Sequence, residues 1–189
     1  MKGPTVTVQP ETFTLVKYES DEIARLVSEA GSWVGLGPDD NVLVKVDESS
    51  PLGMTVLESA DPIVVAVEGG AFEDFKVIRQ LDPVLTQMIM VRVLARVADR
   101  RLPSFAGAPD DEALTVPQLD CWDAWALGRA VRHGLPVPQQ RWRHRFRTRH
   151  GFTDVADRVF DRLWSAPEVT WGDIEAACAE TAAAKAAVG

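Results

Sequence analysis

Apolar residues recur along this chain with two different periods, and the change from one to the other divides it. Over the first 77 residues the period is mostly two. Residues 41–47 set Val42, Val44 and Val46 against Leu43, Lys45 and Asp47, which predicts a half-buried strand. Residues 5–8, 13–17 and 54–57 read as shorter strands, and the unbroken apolar run 63–67 predicts a strand central to a sheet. One helix interrupts them. Ser20 stands at its N-cap, Asp21 and Glu22 fill the first turn, Ile23, Leu26, Val27 and Ala30 recur at i, i+3, i+4 and i+7, and Gly31 closes it.

Beyond residue 77 helical spacing takes over. Asp82 and Pro83 open a helix over 84–98 that is apolar nearly all round, the pattern of a buried core helix. A loop over 102–115, rich in proline, glycine and acids, leads to a helix over 117–133 with Leu119, Trp122, Ala126 and Ala130 on its apolar face. His133 lies near its C-terminal end and Gly134 just past it. Pro138 and Gly151 bracket a helix over 139–150, and Thr153 caps an amphipathic one over 154–164. The last helix starts from Thr170 with Asp173 three residues on, and its alanine-rich tail, 182–189, is predicted to fray. The fold class is therefore α+β. A small mixed β-sheet with one helix occupies 1–77, and an all-helical region packed around a buried helix occupies 78–189, as two regions or one continuous domain.

Charge sharpens this division. Residues 1–77 carry five basic and 14 acidic side chains, net −9, and the remainder 15 and 14, net +1, in a chain of net charge −8. Five of the basic residues fall within nine positions: Arg141, Arg143, Arg145, Arg147 and Arg149. Alternation would align all five on a strand, but the flanking Pro138 and Gly151 favour a helix. On a helix Arg141, Arg145 and Arg149 share one side and Arg143 and Arg147 another, with Trp142, Phe146 and His150 forming a stripe between them. Two short helices joined by a glycine turn resemble a DNA-reading pair. The second, however, opens with Asp154 and Asp157, which repel phosphates, so nucleic acid ranks below other partners.

Catalytic chemistry finds little purchase. Gly69-Gly70 after a strand lacks a phosphate-loop spacing, and Glu68 and Glu73 flank it, so a simple turn is expected. Asp47, Glu48, Glu58, Asp61 and Glu68 lie near strand ends and read as solvated acids. His144 and His150, six apart, point to different sides of a helix and cannot chelate one ion; no metal site or cofactor is expected. His150 and Asp154 are placed for a hydrogen bond tying the turn, with no serine or cysteine nearby to make a triad. Cys121 and Cys178, 57 apart, form no disulfide framework and suit free thiols in a reducing compartment. With no apolar leader near the first lysine and no long apolar run, a cytoplasmic protein without a membrane partner is expected.

These observations favour a non-enzymatic interaction protein. Arg141, Arg143, Arg145, Arg147 and Arg149, with Trp142 and His150, form the candidate binding surface for an acidic protein partner or a second copy of the chain. The alternative is an enzyme or anion-binding domain whose pocket, between sheet and helices, uses arginines to orient a small carboxylate or phosphate.

Overall fold

The computed structural model describes residues 2–188, Val188 by its backbone alone. Four strands and six α-helices form an α+β fold: β1 (Thr5–Gln9), α1 (Ser20–Trp33), β2 (Asn41–Asp47), β3 (Thr55–Ala60), β4 (Ile63–Glu68), α2 (Pro83–Arg100), α3 (Val116–Arg132), α4 (Gln139–His150), α5 (Asp154–Ser165) and α6 (Trp171–Val188). Residues 1–98 and 99–189 are two compact units, so the division falls inside α2, beyond the compositional break at residue 77. No helix among the described residues is long and apolar enough to cross a membrane.

In residues 1–98 the sheet is mixed, in the order β1-β2-β4-β3, with β1, β2 and β4 parallel and β3 antiparallel to β4. The apolar run of β4 is indeed interior. Alternation sends Val8, Val42, Val44, Val46, Ile63, Val65 and Val67 into the core, and α1 buries Ile23, Leu26, Val27 and Ala30. The opposite face keeps Leu43, Val64 and Ala66 only half-buried.

Several local expectations are corrected. Residues 13–17 form no strand, because the Glu48 carboxylate accepts from the Thr14 and Leu15 amides at 2.7 and 2.6 Å and so takes the place of a neighbouring strand. Ser20 is not the N-cap of α1. Its hydroxyl donates to the Glu11 carbonyl at 2.8 Å, and Glu19 holds the cap position. Gly31 does not end the helix, which continues to Trp33; a Cβ at Gly31 would lie 2.7 Å from the Pro4 ring. The α6 tail predicted to fray from residue 182 is helical to Val188, with Gly189 outside the described residues.

Residues 99–189 are built around α3, which packs on α4, α5 and α6. Thr115 and Gln118 form a reciprocal capping box at its start. The helix is then buried on every side from Asp120 to Gly128, more than the single apolar face read from the sequence. At its end His133 is the C-cap and Gly134 takes φ +96°. The turn between α4 and α5 is as expected. Gly151 adopts φ 102°, ψ 152°, a region open essentially to glycine, and the Thr153 hydroxyl accepts from the Ala156 amide at 3.1 Å.

Candidate functional site

The arginine helix α4 buries only Phe146 and His150. Its five arginines divide into two groups. Arg143 and Arg147, one turn apart, face α5, where Asp161 and Asp157 are also one turn apart; Arg143 pairs with Asp161 and Arg147 with Asp157 through both ends of its guanidinium fork. Arg147 holds the Asp157 carboxyl below the usual carboxylate range. The acids against these two arginines therefore come from the adjoining helix.

Arg141, Arg145 and Arg149 form the other group, on one side of α4 as their spacing predicts. Arg141 is exposed, and the Arg145 and Arg149 side chains are 48% and 57% exposed. Against Arg145 and Arg149 lies the carboxylate of Asp120 of α3, whose side chain is 3% exposed. One of its oxygens is 3.3 Å from Arg145 Nε and the other 4.0 Å from Arg149 Nε. Burial raises the Asp120 pKa, opposed by Arg145. Lys185 of α6, whose ammonium lies 3.5 Å from the Arg149 carbonyl, extends the cationic stripe past the end of α4.

The cavity that Arg145 lines, with Asp120, Ala124, Trp142, Phe146 and Phe160, measures about 10 Å³, room for one water molecule. A far larger groove, about 510 Å³, lies on the half-buried face of the sheet, over Val56, Ala66 and Met54. Its charged groups are engaged locally. Lys45 pairs with Glu58 at 2.8 Å, Asp47 accepts from Ser49, and Glu68 accepts from the Met54 amide.

His150 and Trp142 part company with the arginines. Trp142 is half-buried and lines the small cavity. His150 is 3% exposed, stacked on Phe146 with ring centres 3.9 Å apart. It does not pair with Asp154, which is exposed. Its Nδ1 is 2.7 Å from the Thr181 hydroxyl, and its Nε2 is 3.2 Å from the Pro117 carbonyl and 3.7 Å from Cys121 Sγ. Long-range packing has turned the ring into the core. Among the described residues no group of three or more His, Cys, Asp or Glu side chains is placed to hold a metal ion. Gly69 and Gly70 open a short 3-10 turn, and the Gly69 carbonyl accepts from the Tyr18 hydroxyl at 2.7 Å.

Burial, with the nearby Lys185 charge adding to it, lowers the His150 pKa to about 4 from 6.5; the Pro117 carbonyl acts the other way. Between those values the unfolded chain binds a proton that the folded chain refuses. Stability from this group is thus complete above pH 6.5 and is lost as pH falls toward 4. Urea midpoints of the protein and its His150→Asn variant, measured from neutral pH downward, should show a steeper acid loss for the parent; parallel curves would mean that the ring is not buried neutral.

Sequence reasoning found the arginines but not Asp120, Asp157 and Asp161 as their partners. A signal was present for the last two: Arg143/Arg147 and Asp157/Asp161 are matched i, i+4 pairs on helices joined by a tight turn. Compared with protein-family models, curated proteins and solved structures, the chain matches none.

Proposed function

We propose that residues 99–189 act as a docking module whose exposed cationic stripe, Arg141, Arg145, Arg149 and Lys185, binds an acidic protein surface. One observation carries this reading: three guanidinium groups share an exposed side of α4, with the buried Asp120 against Arg145 and Arg149, while the other two arginines are neutralised by α5. Such a stripe gains from an anionic partner through forked hydrogen bonds. Residues 1–77 of a second copy, net −9, are the acidic surface nearest to hand. An anion-binding pocket is less well supported, since the cavity at Arg145 holds one water and the large groove is lined by Asp47, Glu58 and Glu68 with one lysine.

Arg143 and Arg147 are the wrong residues with which to test this, because glutamates there would face Asp161 and Asp157 and loosen α4 from α5. The informative variant is Arg141→Glu with Arg149→Glu. Sedimentation should show self-association that weakens from about 50 mM to about 500 mM salt, as screening shortens the reach of exposed charges. The double variant should keep its circular dichroism spectrum and lose that association. A labelled poly-glutamate peptide, followed by fluorescence anisotropy, should compete. A monomer at every salt concentration that ignores poly-glutamate but retards a DNA duplex in an Arg141- and Arg149-dependent way would replace the acidic partner with nucleic acid.

A further inference from the structure

Two cysteines distant in sequence meet between α3 and α6. Cys121 Sγ lies 3.7 Å from Cys178 Sγ, and both are free thiols. A disulfide has its sulfurs about 2.05 Å apart, so the pair must close by about 1.7 Å, within reach of side-chain rotation and a small helix shift. Cys121 is fully buried and Cys178 is partly exposed, which gives the two sulfurs different access to reagents. His150 Nε2 lies 3.7 Å from Cys121 Sγ and 3.2 Å from the Pro117 carbonyl, so the ring packs directly against the buried thiol.

We propose that Cys121 and Cys178 are an oxidisable pair, closed to an intramolecular disulfide by exchange with a low-molecular-weight disulfide such as oxidised glutathione. Contact with Cys121 lowers the Cys178 pKa, whereas contact with Cys178 and burial raise that of Cys121, so Cys178 ionises first. Its thiolate attacks one glutathione sulfur. The bond between the two glutathione sulfurs breaks, a Cys178–glutathione disulfide forms, and one glutathione leaves as thiolate. Cys121 then attacks Cys178 Sγ and gives up its proton as the bond forms. The protein disulfide forms and the second glutathione leaves, taking up that proton. The two cysteines are oxidised by two electrons and one glutathione disulfide is reduced to two thiols. The bridge pins α6 to α3 one turn before Thr181, the residue that holds the other side of the His150 ring.

The test treats the full chain, without denaturant, with oxidised glutathione, then alkylates remaining thiols and measures intact mass and cysteine-containing peptides. The expected product has lost two hydrogens, carries neither alkyl group nor glutathione, and yields a crosslinked peptide containing both cysteines. Its unfolding midpoint should rise by several degrees, because the bridge closes a loop spanning 57 residues in the unfolded chain. Cys121→Ser should stop at the glutathione adduct on Cys178, and Cys178→Ser should remain unmodified. The parent protein decides the matter even if a variant folds poorly. Two thiols that both stay open to alkylation, a stable adduct on Cys178 with Cys121 still free, or crosslinking only between chains would each overturn the proposal.

Discussion

Replacing Asp99 by alanine is expected to cost about 3–5 kcal/mol of stability, the usual consequence of removing one partner from a buried ion pair. Asp99, at the end of α2, has no solvent exposure. It accepts from the Trp122 indole N–H at 2.7 Å and from both terminal nitrogens of Arg129 at 3.0 and 2.9 Å. The Arg129 guanidinium, whose side chain is 14% exposed, also lies 3.9 Å from the centre of the Trp125 ring. Alanine would leave a largely buried cation without its anion and a fully buried indole N–H without its acceptor. Asparagine should cost less, because an amide oxygen can still accept from one donor. Guanidinium unfolding of both variants checks the ordering; an alanine variant within about 1 kcal/mol of the parent would mean that water reaches Arg129 after all.

Gly128 offers the second large effect, and here two forces oppose each other. In mid-helix, alanine ordinarily stabilises relative to glycine by about 1 kcal/mol. A Cβ at Gly128, however, would sit 2.0 Å from the Trp164 carbonyl oxygen, which is backbone and cannot swing aside. Overpacking of this kind typically costs about 1–3 kcal/mol, so steric conflict should outweigh propensity in Gly128→Ala, and Gly128→Val should lose more than about 3 kcal/mol. Thermal unfolding gives the sign directly. A higher midpoint for the alanine variant would show that the helices part at little cost.

Much of the fold was legible because it depends on local period and punctuation. The alternation of β2, the apolar run of β4 and the bracketing of α4 by Pro138 and Gly151 all act within a few residues, and the structure follows them. The misreadings arose where a distant group took over a local task. Glu48 supplied to residues 14 and 15 what a strand would have supplied, and Glu11 drew away the Ser20 hydroxyl that local rules assigned to a cap. The candidate site divides in the same way. Helical geometry separated the stripe of Arg141, Arg145 and Arg149 from Arg143 and Arg147, but only packing of α3 on α4 could place Asp120 against Arg145 and Arg149. His150 was drawn toward Asp154 by proximity in sequence, whereas its partners are Pro117 and Thr181, about 30 positions away.

The bulge in β3 bears on what the sheet does when two molecules meet. Pairing with β4 slips between Leu57 and Ser59, which leaves Glu58 outside the ladder with its charge held toward Lys45. At the other border β1 spans five residues and is followed at once by Pro10, which has no amide to offer. Both margins of the sheet are therefore poor templates for a foreign strand, one bent and charged and the other short and stopped by an imino acid. A chain so guarded against edge-to-edge aggregation can meet a second copy of itself without the encounter seeding a continuous intermolecular sheet.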